Sequence, residues 1–210
     1  LADYAQCPFG LSLGRQLFHY GDGRLIADSR WGNCGRSFDG AKLRYRRDRW
    51  RAEAFWASVV TIERGAFDEP KDDESVAGLY LSSQHLAGHV LDLYGFHLDS
   101  DSGSTEGRYS TLGTRVASKR PREEDPWDYA AELASQFGSR TSAGRDLDIA
   151  AMMFHAEAGH TFRGLPWSPR LGLSYDFASG DGDPADGDST TFRTPYTSSH
   201  SWYGRQDIIG

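Results

Sequence analysis

The chain has no apolar run near the roughly 18 residues that carry a helix across a bilayer, which excludes a helical membrane protein. Convincing 3.6-residue periodicity is scarce as well. Only two cysteines, Cys7 and Cys34, occur in 210 residues; they make no disulfide framework and no zinc spacing. A first strand over about 11 to 18 would put them near its opposite ends, apart and not bridged. Gly-x-Ser-x-Gly, a phosphate-cradling glycine loop and His-Glu-x-x-His are all missing. Asp128 and Glu132 could serve glycosidase chemistry only if close, yet on one strand face they stand roughly 13 Å apart, so the chain reads as no enzyme. Lys and Arg number 23 against 30 Asp and Glu, and the basic stretch 44 to 51 is too short and too mixed for a nucleic-acid surface. Leu1 opens without a basic or apolar leader and Gly210 closes a Gly-, Ser- and Asp-rich tail. These ends suggest that residues 1–210 are one domain, an internal fragment of an exported protein.

What the chain does have is alternation. From Trp127 to Gly138, Tyr129, Ala131, Leu133 and Phe137 fall on one strand face and Asp128, Glu132 and Gln136 on the other, as suits a wall between lipid and water. Charged residues at 25% do not oppose this, because only every second residue of such a strand meets lipid. Strands are predicted at about 11 to 18, 38 to 47, 50 to 62, 77 to 84, 88 to 98, 108 to 118, 127 to 138, 147 to 162 and 169 to 178. Short or proline-punctuated connections (47 to 49, 84 to 87, 119 to 126, 163 to 168) alternate with mostly longer, acidic or glycine-rich ones (19 to 37, 64 to 76, 99 to 107, 179 to 210), 139 to 146 being the weakest member. Outer-membrane barrels have one rim of tight turns and one of long loops. The short connections are accordingly periplasmic, with Leu1 on that side and Gly210 outside.

A turn at Asp48 and Arg49 pairs Arg46 with Arg51, Arg44 with Glu53 and Lys42 with Phe55 on one face, and Tyr45 with Ala52, Leu43 with Ala54 and Ala41 with Trp56 on the other. A one-residue slip would put arginines in lipid at about 2 to 4 kcal/mol each. The same logic sends Arg15, Asp92, Tyr94, Arg115, Asp128, Glu132, Gln136, Glu157, Arg170, Ser174 and Asp176 inward. Leu91, Leu93, Leu112, Val116, Leu133, Leu171, Leu173, Tyr175 and Phe177 go outward. Phe96 and Met152-Met153-Phe154 break strict alternation and mark either bulges or parts above the bilayer, their facing left open. Arg44 has Glu53 opposite, whereas Arg115 and Arg170 have no obvious hairpin partner.

Gly14-Arg-Gln16, Tyr20-Gly-Asp-Gly-Arg-Leu-Ile26, Trp31 and Gly35-Arg-Ser-Phe-Asp-Gly-Ala41 occur in order. Asp92-Leu-Tyr94, Thr111-Leu-Gly-Thr-Arg115, Trp127-Asp-Tyr129 through Phe137-Gly138, and Leu171 through Asp181 follow. With these pieces the chain resembles the alginate export family of outer-membrane barrels. The resemblance implies an all-β, antiparallel, up-and-down transmembrane barrel of about eighteen strands, of which this chain would supply about nine, open or incomplete. It also implies a monomer whose arginine-rich lumen conducts an anionic polysaccharide out of a Gram-negative cell, with periplasmic export machinery as a possible partner.

Arg15, Lys42, Arg44, Arg46, Arg51, Arg115 and Arg170 are then the candidate path, Arg24, Arg30 and Arg36 a candidate constriction in the first long loop, and Glu53, Asp92, Asp128, Glu132, Glu157 and Asp176 the lumen carboxylates. Arginines in a lumen also simply hold the wall in register, a reading that competes with the path at every position. Much of the acid lies in the long connections, at Asp68, Glu69, Asp72, Asp73 and Glu74, at Asp99, Asp101 and Glu106, and at Asp181, Asp183, Asp186 and Asp188. The last four have a calcium-like spacing without the completing glutamate; a solvated loop and a cation site both fit, and no cofactor is required. His155, Glu157 and His160 read as lumen or rim residues and not as metal ligands. A nonspecific outer-membrane porin, or a soluble carbohydrate-binding β-sandwich, are the alternative readings; a barrel would place Trp50, Trp56, Trp127, Trp167, Tyr129 and Tyr175 at lipid interfaces, a sandwich between its sheets or in one groove.

Overall fold

The computed structural model describes residues 7–29, 31, 35–62, 65, 67–101, 106–118, 125–142, 144–183 and 185–202, without the side chains of 199 and 200. Leu1, Arg30, Cys34 and Gly210 lie outside the described residues. The strands are β1 (Phe9–Gln16), β2 (Phe38–Arg47), β3 (Trp50–Thr61), β4 (Glu69–Pro70), β5 (Glu74–Ser83), β6 (His89–Ser100), β7 (Gly107–Ser118), β8 (Trp127–Ser142), β9 (Arg145–Thr161), β10 (Arg170–Ala178) and β11 (Asp188–Ser189), followed by the single helical turn α1 (Ser199–Trp202). They form one sheet in the order β1-β2-β3-β5-β6-β7-β8-β9-β10, with β4 added to β3 and β11 to β9. Each neighbour along that path is antiparallel. This is an up-and-down meander left open between β1 and β10. Period-2 patterning joined by short turns leaves each strand no nearer partner than the next.

The β2–β3 hairpin has the expected register, including Arg44 opposite Glu53 and Leu43 opposite Ala54. Asp48 takes the left-handed conformation, φ 53°, that a two-residue hairpin turn requires and Asp tolerates. Three expectations change. Residues 139 to 146 do not form a long loop: β8 runs to Ser142 and pairs with β9 from Arg145, because Thr141 and Asp146 bond across the ladder (2.8 Å) and extend it. Met152, Met153 and Phe154 alternate out, in, out without a bulge, and Phe96 points inward and is buried. Arg15 is not inside: it shares the parity of Leu11 and Leu13, pairs in register with Asp39, and binds that carboxylate at 2.8 Å on the outer face near the loop-side rim.

The outer face carries exposed Leu11, Leu43, Leu79, Leu93, Leu112, Leu133, Leu171 and Leu173. Trp50, Trp127 and Tyr129 are exposed on this face next to the short turns, and Trp167 is 100% exposed in the β9–β10 turn. That is the placement of an interfacial aromatic belt and not of a sandwich core. Among the described residues no second sheet covers these leucines.

The inner face is covered and largely apolar over its loop-side half. Two segments, 17–29 and 188–202, fold back over it as a plug, packing Phe18, Tyr20, Leu25, Ile26, Phe192 and Tyr196 on Phe38, Phe55, Val76, Tyr80, Phe96 and Met153 of the wall. The two segments are laced by an Ile26–Tyr196 bridge and by Ala27 N–H to Tyr196 C=O (2.8 Å) and Ser198 N–H to Gly23 C=O (3.0 Å). Burial raises the pKa of the Tyr196 hydroxyl, helped by its hydrogen bond to Glu74 (2.6 Å). Glu74 is thus a buried anchor and not a solvated loop acid.

Several inner-face side chains lie flat along the wall, across a glycine of the neighbouring strand. Tyr94 of β6 crosses Gly113 of β7 to donate to Glu132 of β8 at 2.7 Å. Arg170 of β10 crosses Gly159 of β9 to reach Asp128 of β8. A Cβ at position 113 would stand 2.3 Å from the Tyr94 ring. Gly113→Ala is therefore expected to cost about 1 to 3 kcal/mol in urea unfolding from vesicles, while Gly180→Ala, with nothing within 4 Å, stays within about 0.5 kcal/mol of the parent.

Candidate functional site

Fixed register sets five inner-face residues at one height on five consecutive strands. Asp92 of β6 is the partner of Arg115 of β7, Arg115 of Glu132 of β8, Glu132 of His155 of β9, and His155 of Asp176 of β10. The plug docks on this row through Asp22 and Arg24. Asp22 takes Arg115 in a two-point contact (2.5 and 2.9 Å), and the third guanidinium nitrogen holds Asp92 at 3.0 Å. Arg24 Nη1 donates to Asp176 Oδ1 at 2.6 Å, and Nε lies 3.9 Å from Glu132 Oε2. Its guanidinium stacks on the Trp202 ring at 3.8 Å, so both halves of the plug meet at one cation. Farther along, the Gln136 amide bonds the backbone N–H and C=O of residue 193, both at 2.8 Å.

The structure therefore brings Arg24, Arg115, Glu132, Asp92 and Asp176 together. Arg36, a candidate for the constriction, reaches the plug, where its guanidinium donates to the Ala27 and Thr197 carbonyls (3.1 and 3.2 Å), and burial lowers its pKa. Arg115 and Arg170, for which no hairpin partner was evident, are both paired: Arg115 with Asp92 across the ladder and Asp22 from the loop, Arg170 with Asp128 two strands away. Glu53 is taken by Arg51 at 3.0 Å and not by Arg44 opposite it. Arg44 lies instead along Gly10 of β1.

The remaining cations form a row. Lys42, Arg44 and Arg46 occupy successive inward positions of β2 and, among the described residues, make no ion pair with a carboxylate. Lys42 lies 4.9 Å from the Phe18 ring of the plug. From there the row descends to the short turn, in steps of roughly 6.8 Å. Under the plug on the opposite side, a cavity of about 760 Å³ is lined by His19, Asp22, Arg115, Asp128, Glu157 and Arg170. There both guanidiniums are neutralised by carboxylates.

At the loop side, acids are engaged by nearby groups. Asp39 and Asp68 flank Arg15, Asp99 and Asp101 flank Arg108, and the Asp181, Asp183 and Asp186 side chains accept from backbone N–H groups two residues on. Residues absent from the sequence reading are Asp22, His155 and Trp202 as members of the plug contact. Asp22 lies beside Arg24 in a quoted motif and His155 follows from parity, but nothing marked Trp202. Arg115→Gln strands Asp22 and Asp92 in a buried setting and is expected to cost about 3 kcal/mol. Arg170→Gln, at a half-exposed pair, is expected to cost about 1 kcal/mol or less in the same unfolding assay.

The chain matches the profile of the family described as "Alginate export" over residues 2–210. No curated protein matches it. Among solved structures it is similar to OccAB4 of Acinetobacter baumannii at 12% identity and a TM-score of 0.47, over 90% of this chain and 64% of that one, so it spans somewhat less than two thirds of that protein's length. An open antiparallel meander with a leucine outer face and a charged, plugged inner face agrees with a match over almost every residue: the chain belongs to the alginate export family, as a stretch of bacterial outer-membrane β-barrel.

Proposed function

We propose that this sheet is part of the wall of an outer-membrane channel that exports an anionic, polyuronate-like polysaccharide, and that the polymer passes along the inner face of β2 and β3, beside the plug. The observation that carries the reading is the row Lys42, Arg44 and Arg46, three cations on alternate positions of one strand that make no ion pair at contact distance among the described residues, Glu53 acting on Lys42 only from farther off. A carboxylate on each sugar can pass from one guanidinium to the next without the chain ever letting go. Conduction needs such repeated weak contacts and not one tight site. Arg51 borders the row but is held by Glu53, and Arg115 and Arg170 serve the wall. The path is narrower than the sequence reading drew it.

Position supports the direction of transport. The row ends at the short-turn rim, where Arg47 and Arg49 add charge, while the acids concentrate at the loop rim. A polyanion would meet attraction at the periplasmic entrance and a negative field at the exit. The porin reading shares the fold and differs in selectivity.

Conductance of the full-length channel in planar bilayers separates them. Oligouronate added on the short-turn side is expected to block the pore, and the double substitution Arg44→Glu, Arg46→Glu to weaken that block roughly tenfold or more, about 0.7 kcal/mol for each exposed charge. Equal block by a neutral oligosaccharide of the same length would establish the porin instead, and an unchanged block in the double variant would remove the β2 path. Because the row is exposed, raising salt from about 0.1 to about 1 M is expected to weaken the block as the screening length falls from roughly 10 to roughly 3 Å.

A further inference from the structure

We propose that His155 is a proton-operated release for the plug. Along the row at one height the side chains read carboxylate, guanidinium, carboxylate, imidazole, carboxylate, for Asp92, Arg115, Glu132, His155 and Asp176. The alternation of charge fails only at the imidazole. That is the place where the plug inserts Arg24, which donates to Asp176 Oδ1 at 2.6 Å and leans toward Glu132 Oε2 at 3.9 Å. The loop's guanidinium stands in for a positive charge that the neutral wall lacks.

His155 Nδ1 lies 2.9 Å from the same Asp176 Oδ1 that Arg24 holds. Neutral, the imidazole shares that oxygen with the guanidinium as a hydrogen-bond donor only. Protonated, it puts a second cation on one carboxylate oxygen, with His155 1% and Arg24 8% exposed and the Asp176 side chain 52% exposed. Nε2 of His155 and Oε2 of Glu132, its register partner, are both buried without a hydrogen-bond partner among the described residues. Protonation completes the alternation from within the wall and makes Arg24 redundant there.

The groups facing His155 are Asp176 of β10, itself touched by Ser174 (3.4 Å), Glu132 of β8, and Glu157 farther along its own strand. From the plug come Arg24 and the Trp202 ring, at 6.2 Å between centroids. Tyr94, Arg115 and Asp22 act on it through Glu132 and the row. The sign follows from the shared oxygen: the latch holds while His155 is neutral and weakens when it is protonated, releasing Arg24 and the segment behind it. The release is independent of which solute passes the channel.

Amide exchange at residues 20–27, corrected for intrinsic pH dependence, tests it on the full-length protein in phosphatidylcholine vesicles at about pH 7.5 and about pH 5. Wild-type protection is expected to fall roughly tenfold at the lower pH. His155→Asn keeps a neutral donor in the Nδ1 position and cannot titrate, so its protection is expected to be equal at both. Arg24→Gln is expected to be weakly protected at both. His19→Asn removes the plug's own imidazole, which bonds Asp28 at 3.1 Å, and is expected to keep the wild-type response. If His155→Asn does not fold, Asp176→Asn replaces it, with low, pH-independent protection expected. Wild-type protection that is constant or rises toward acid pH overturns the release, as does a pH response that survives His155→Asn or Asp176→Asn.

Discussion

In a bilayer no water is available to unpaired peptide groups, so every strand must be satisfied by its neighbours. That requirement fixes register, and register fixes what stands beside what on the inner face. Asp92, Arg115, Glu132, His155 and Asp176 are distant in sequence, yet nearest-neighbour pairing aligns them across five strands. The plug then needs only Asp22 and Arg24, two residues apart, to dock on a pattern already in place. Electrostatic complementarity here is a product of backbone pairing.

The same register explains how a wall of long polar side chains stays compact. Tyr94 and Arg170 reach carboxylates two strands away because the strand between presents glycine at the crossing. The wall is thin at those points and its side chains lie along it, which leaves depth for the plug. On the β2 side the crossing glycine is Gly10, under Arg44, and among the described residues no carboxylate pairs with that guanidinium. The inner face is therefore uneven: its cations are neutralised by carboxylates from β6 to β10, whereas β2, covered by the plug at Phe38, is basic and exposed at Arg44 and Arg46 toward the short turn.

Much of this was legible in the residues. Alternation gave the strands and the faces of Leu93, Leu133 and Leu173, and the Asp48–Arg49 turn gave the first hairpin pair by pair. Arg15 was misplaced because its charge was weighed above its parity with Leu11 and Leu13; the carboxylates that satisfy it, Asp39 and Asp68, come from the neighbouring strand and a loop. The partners of Arg115 and Arg170 were hidden for a related reason. One sits in a loop 93 residues earlier and the other beyond an intervening strand, contacts that hairpin pairing does not express. Arg24 was recognisable as an inward residue from its motif, but the tail that meets it through Trp202 carries no periodic signal. Pattern reading sees what repeats along a strand and misses what folds back onto it.

The lacing of segment 17–29 to Tyr196 and Ser198 has a consequence for how the chain is built. The first loop cannot finish its half of the plug until the last described segment has been made and threaded inward, after the eight main strands that separate them exist. Closing so long a loop is the slow kind of contact formation. Phe18, Tyr20, Leu25 and Ile26 meanwhile remain only partly covered, since part of the surface that buries them arrives last. Completion of the plug is thus a late checkpoint, reached only by a chain whose strands have already paired in the right order.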